Sequence, residues 1–226
     1  MLRIKISTLI GAIFISVSSV LHAAELVFND IQEDNALCPY MGKNLCYAIT
    51  MDGPIQVSDT EKVLGLIEKM GKVNGLTSRL GYVYLNSQGG DVHEAIKLGR
   101  LLRENKVQTL VGANDRCYSA CVLVLAGGVA RLPTGEIGIH SFYSLASTKK
   151  GFNYEVEEQK YKGVAKEIEQ YLRDMRVSVR LLDEMMNTPS ATMRVLSLDE
   201  QQSTSLFGVD PIFHQYLVAN GYMKNE

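Results

Sequence analysis

Histidine is scarce in this 226-residue chain, with only His22, His93, His140 and His214. The four cysteines, Cys38, Cys46, Cys117 and Cys121, show no CxxC spacing and have no nearby histidines. A zinc-type metal centre is therefore disfavoured, and no metal is expected. Basic excess is missing too: 23 Lys and Arg stand against 25 Asp and Glu, a formal charge of −2. The tyrosines are not interleaved with a basic stripe, and Lys149-Lys150 is an isolated pair in an expected loop, so nothing points to nucleic acid. Beyond residue 24 no apolar run is long enough to cross a bilayer. Repeats and low-complexity tracts are absent as well.

What is present begins with a leader. Met1 to Lys5 carries two positive charges, and Ile6 to Leu21 carries none. Leu21-His22-Ala23-Ala24 then offers small residues for cleavage. This is the pattern of a secretory signal peptide over residues 1–24, and it implies a periplasmic or secreted protein. The uncharged run has 16 residues, five of them Ser or Thr, which is short and polar for a spanning helix. A retained N-terminal anchor is the alternative. No cysteine follows the cleavage region, which argues against a lipoprotein. Losing Arg3 and Lys5 leaves a formal charge of −4 and one domain's worth of chain. Residues 25–46 read as an irregular extension, and 47–226 as a single α/β domain.

An even cysteine count in an exported chain favours disulfides. Three pairings are possible. Local pairing, Cys38 with Cys46 and Cys117 with Cys121, is preferred because each closes a short segment.

Tyr47 to Met51 reads as a strand ended by the turn signal Asp52-Gly53-Pro54. Ser58 with Glu61 predicts a capping box, leading a helix with Val63, Leu64, Ile67 and Met70 on one face. Leu80 to Leu85 is the next strand. Asp91 with Glu94 starts a second helix, with Ala95, Leu98, Gly99 and Leu102 as its buried stripe. Strands are expected at 107–111 and 137–139, around a helix at 120–126 that has no polar side chain. A charged helix over 154–173 places Val156, Tyr161, Val164, Ile168 and Leu172 on an apolar face. Short helices follow near 178–186 and 198–206. Alternating strands and helices imply a mainly parallel sheet.

Within this frame Ser119 opens an apolar helix. The N–H of Ala120 is then free to hold an oxyanion beside it. Gly89 and Gly90, at the end of a neighbouring strand, permit the close backbone approach that a second donor needs. Read alone, Ser119 is only a helix cap. His140 changes that reading, because it ends a strand that should run beside the others at the same sheet edge. There its imidazole can take the Ser119 proton.

These residues carry a resemblance. Asn86-Ser87-Gln88-Gly89-Gly90-Asp91 resembles the Asn-Ser-Pro-Gly-Gly element of ClpP-type proteases, with Gln88 in the place of proline. Tyr118-Ser119-Ala120 falls where that family has its nucleophile, and Ile139-His140 where it has its histidine. Asp52-Gly53-Pro54-Ile55, Leu196-Ser197 with Glu200, and Gly208-Val209-Asp210 resemble further family elements. The likeness covers roughly residues 47–212. It implies the ClpP/crotonase fold of repeated ββα units, a helical handle at about 141–175, homo-oligomerisation and a serine-type peptidase mechanism. The resemblance also implies an acid 45–50 residues beyond the histidine, where no aspartate sits clearly. Asn187 is nearest in register and is taken as the third catalytic residue, with Asp183 as the alternative.

The function expected is hydrolysis of short or unfolded polypeptides outside the cytoplasm, with Ser119, His140 and Asn187 as catalytic residues. Gly89, Gly90 and Ala120 form the oxyanion hole, and no cofactor or ATPase partner is expected. A catalytically silent protein that binds extended peptides is the alternative. A crotonase-type acyl-CoA enzyme is disfavoured by the absence of CoA outside the cytoplasm.

Overall fold

The computed structural model describes residues 25–30, 46–71, 80–142 and 154–219. The expected leader over 1–24, Cys38, the Cys38–Cys46 pairing and Lys149-Lys150 lie outside the described residues, as does part of the expected handle. Among the described residues no helix is long and apolar enough to cross a membrane.

β1 (Glu25–Asp30) pairs antiparallel with β2 (Cys46–Asp52). A strand thus stands where irregular chain was expected. No turn signal announces it, because its partner lies many residues away. β2, β3 (Leu80–Asn86), β4 (Gln108–Val111) and β6 (Ala130–Pro133) then run parallel to one another. β9 (Gly208–Val209) closes the far edge antiparallel to β6. A second sheet holds β5 (Arg116–Tyr118), β7 (Glu136–Ile139) and β8 (Arg194–Val195), with β5 parallel and β8 antiparallel to β7. The chain is therefore α/β with a mostly parallel principal sheet.

α1 (Asp59–Gly71) starts differently from its expected capping box. Ser58 adopts a left-handed φ of 81°, and among the described residues its hydroxyl accepts no helix N–H. The Asp59 carboxylate takes the Gln56 N–H and the Lys62 ammonium, while Glu94 of the next helix accepts the Thr60 N–H at 2.8 Å. A remote buried carboxylate has replaced the local serine. Val63 and Ile67 are buried, but Leu64 is 37% exposed and falls off the stripe.

α2 (Val92–Glu104) follows the sequence closely. Asp91 accepts the Glu94 N–H, and Ala95, Leu98, Gly99 and Leu102 are all buried. α3 (Cys121–Gly127) is buried along its whole length. The two helices meet so closely that a Cβ on Gly127 would strike the Gly99 backbone. In α4 (Tyr154–Asp174) Ile168, Tyr171 and Leu172 are buried, but Val156 is exposed, so only the C-terminal half packs on the core. Phe142 stacks on Tyr161 at 4.7 Å between centroids. α5 (Arg180–Met186), α6 (Leu198–Ser203) and α7 (Pro211–Ala219) complete the chain.

The core also contains charge. Buried Arg131 donates to three carbonyls, of Ala126, Ser205 and Met175. Arg103 pairs with Asp210, whose carboxylate also takes the Ile212 and Phe213 N–H groups at the start of α7. Burial pushes the Asp210 carboxyl upward, but the Arg103 charge and these hydrogen bonds outweigh it and hold it below its ordinary value. Glu200, taking the Ser197 N–H, Arg194 and the Ser197 hydroxyl, is pulled down to about 2. Both acids are more acidic folded than unfolded, so their stabilisation is complete above the unfolded value. It is lost as pH falls through the folded one. The denaturation midpoint should therefore be flat near neutrality and fall below about pH 4. Urea titrations at stepped pH check this, and Asp210→Asn should lower the neutral plateau while flattening the acid limb.

Candidate active site

The two sheets touch at one corner. The Ser87 N–H donates to the Arg116 carbonyl at 2.7 Å, and the Tyr118 N–H donates to the Ser87 carbonyl at 2.9 Å. Asn86 braces the same corner, giving its amide N–H to Asp52 and accepting the Arg116 N–H. Strand β5 then ends, and the chain turns through Ser119 into α3.

Ser119 holds a left-handed φ of 56°. That region costs a non-glycine residue about 1–3 kcal/mol and persists only where surrounding contacts enforce it. Here the Ser119 N–H donates to the Gly138 carbonyl at 2.9 Å, and its own carbonyl accepts from Val122 at 3.0 Å. The Cys117–Cys121 disulfide brackets it, as the spacing predicts. Closing so short a loop contributes about 2 kcal/mol in the chain-entropy picture. The serine is thus presented by a turn pinned on both sides.

Gly89 lies directly against this turn. A Cβ there would sit 2.7 Å from the Ser119 Cβ, 2.8 Å from the Tyr118 carbonyl oxygen and 3.0 Å from the Ala120 nitrogen. Its φ of 99° is likewise one that side chains resist. The Gly89 N–H donates to the Ser87 hydroxyl at 3.1 Å. Ile55 bonds the Gly89 carbonyl and the Asp91 N–H, which turns the N–H of Gly90 away from that bridge. Among the described residues the N–H groups of Gly90 and Ala120 have no partner. Gly89, Gly90 and Ala120 therefore share one corner, with two open donors and the third engaged by Ser87.

His140 follows β7, which lies beside β5 with Gly138 opposite Tyr118. Parallel neighbours sit about 4.8 Å apart, so Ser119 and His140 leave adjacent strands at the same edge. No hydrogen bond joins the two side chains. The His140 Nδ1 lies 2.8 Å from the Ser141 carbonyl oxygen. An N–H on Nδ1 donating to that carbonyl leaves Nε2 as the basic atom. Ser141 is held in turn, its N–H donating to the Thr188 carbonyl at 2.8 Å.

Asn187 is the exposed C-cap of α5, and its backbone N–H donates to the Asp183 carbonyl. Asp183 is exposed one turn earlier. Neither side chain bonds His140. Beside the corner, the Tyr118 hydroxyl donates to the Glu136 carboxylate, which pushes the Tyr118 pKa upward. Among the described residues no group of three or more His, Cys, Asp or Glu is placed so that it could hold a metal ion. Sequence reading missed the Ser87 hydroxyl and the Ser141 carbonyl. Only Ser87 lay within a motif that could have drawn notice.

No protein-family model matches the chain, and no curated protein does. Solved structures do resemble it. One is a peptidase from Plasmodium falciparum, at 12% identity and a TM-score of 0.53, covering 71% of this chain and 92% of that one. Another is a ClpP1 mutant from Listeria monocytogenes, at 15% identity and a TM-score of 0.53, covering 71% of this chain and 88% of that one. The chain shares the mixed α/β fold of these structures, ClpP1 among them.

Proposed function

We propose that the chain is an exported serine peptidase of ClpP-like fold, acting on short or unfolded polypeptides and working as a homo-oligomer. The observation that carries this reading is the pinned left-handed turn at Ser119. It packs Ser119 and the unbonded Ala120 N–H against Gly89, next in the chain to the unbonded Gly90 N–H, and His140 follows the strand beside β5. The Ser119 Oγ attacks the scissile carbonyl, and its proton passes to His140 Nε2. The N–H groups of Ala120 and Gly90 hold the oxyanion. His140 then protonates the leaving amine, and water releases the acyl group by the same route in reverse. The segment around 141–175 serves as the handle for contacts between subunits and with extended substrate. No ATPase partner or cofactor enters the scheme.

A fluorophosphonate probe tests this reading. The purified protein should label covalently, Ser119→Ala should abolish labelling, and His140→Ala should slow it by roughly 10²–10⁴-fold. The absence of a Ser119–His140 hydrogen bond favours a second reading, a silent site that only holds extended peptide. Peptide binding without any labelling would establish that alternative.

A further inference from the structure

β8 runs antiparallel to β7, with Val195 opposite Gly138 and Arg194 opposite Ile139. Extending that register by one residue sets Met193 opposite His140. Residues two apart on a strand share a face, so Gly138 and His140 project to the same side. The Met193 thioether is on that side, because a Cβ on Gly138 would meet its Sδ at 2.7 Å and its Cγ at 2.9 Å.

The acids on β7 and on the helices flanking β8 bond other groups or stand exposed, and none bonds the ring. Glu184 pairs with Arg194 and Arg180, and Glu200 with Arg194 and Ser197. Glu136 accepts from Tyr118, and Asp183 is exposed with no bond to the ring. What the ring does have is the Ser141 carbonyl, fixed through Thr188.

We propose that His140 works without an acidic partner: the Ser141 carbonyl sets its tautomer, and Met193 fills the place from which a carboxylate would back the ring. This rests on the serine-peptidase reading and deepens it. A backbone carbonyl orients the imidazole as well as a carboxylate does, but its partial charge stabilises the imidazolium less. The site is a serine–histidine dyad of reduced power. Asn187 is a helix cap and no part of it.

Two measurements on the purified protein test this. Long-range proton–nitrogen correlation with labelled histidine, His140 being identified by its loss in His140→Ala, should show the Nδ1–H tautomer. The same tautomer is expected in Asn187→Ala and Asp183→Ala. In fluorophosphonate labelling those two variants should stay within about twofold of the parent, while Met193→Asp should accelerate by roughly tenfold or more and Met193→Asn should not. Met193 is 38% exposed, so either polar side chain fits without burial. A changed tautomer or a roughly tenfold loss in Asn187→Ala would overturn the inference, and so would equal rates for Met193→Asp and Met193→Asn. The peptidase reading would survive those results provided the parent still labels at Ser119. Labelling by Met193→Asp alone would overturn the inference and mark the natural site as silent, since His140 would then not work without an acid. Labelling by neither would end both.

Discussion

Replacing Gly89 by alanine should reduce Ser119-dependent labelling by about 10²–10³-fold, the loss seen when an oxyanion donor is misplaced. The methyl group cannot enter. It would lie 2.7 Å from the Ser119 Cβ, 2.8 Å from the Tyr118 carbonyl oxygen and 3.0 Å from the Ala120 nitrogen. None of these is the yielding end of a flexible side chain. The Tyr118 carbonyl and the Ala120 nitrogen are backbone, and the Cys117–Cys121 bridge holds their turn in place. Relief must come from separating the Gly89 strand from the Ser119 turn, which moves the Gly90 N–H away from the Ala120 N–H. The strained φ adds about 1–3 kcal/mol of instability.

Gly208→Ala is the matched control. Its φ of 118° is also strained, yet nothing lies within 4 Å of a Cβ there, and it stands on the edge strand β9. That variant should lose comparable stability and keep its labelling rate. Rates and thermal midpoints measured on both separate strain from displacement. A folded Gly89→Ala protein that labels like the parent would show that the glycine corner does not shape the reaction.

The sequence was most legible where a local signal and its consequence coincide. Asp91 caps α2 because its carboxylate reaches the Glu94 N–H three residues on, and the stripe from Ala95 to Leu102 follows from helical period alone. Ser119, His140 and the two glycines each end or begin an element, so chain order already suggested a common place. That place is a corner between two sheets, with β3 in one and β5 and β7 in the other, and not the single sheet edge expected. What escaped depends on distant partners. β8 and β9 have two residues each, too few for any period, and β6 carries Arg131 and Pro133. The start of α1 differs from the expected capping box because Ser58 is left-handed and does not reach the Glu61 N–H, while Glu94, 34 residues beyond Thr60, accepts the Thr60 N–H. Met193 was invisible for a related reason. A thioether signals no chemistry, and only the pairing of β7 with β8 sets it across from the imidazole.

Arg131→Ala should be the most destabilising single change among these, by about 3–5 kcal/mol, as expected when one member of a buried charged network is removed. The side chain is 3% exposed and donates from three nitrogens to three carbonyls on separate segments: Ala126 of α3, Met175 after α4 and Ser205 after α6. Burial, and then the nearby Arg103 charge, lowers the Arg131 pKa to about 10, which still leaves it charged at neutral pH. Its loss strands those carbonyls, each costing about 1–3 kcal/mol unless water or relaxation serves it. Met175 is partly rescued, since Arg103 also donates to its carbonyl at 3.3 Å. Lysine cannot restore the set, because one ammonium has no planar fork to reach three divergent acceptors. For a chain of this size the thermal midpoint should drop by about 6–20 °C. Calorimetry on Arg131→Ala, Arg131→Lys and Arg131→Met gives the ranking. If all three melted within a degree or two of the parent, the carbonyls would be hydrated rather than bridged, and the arginine would not be what ties α3 to the chain that follows α4 and α6.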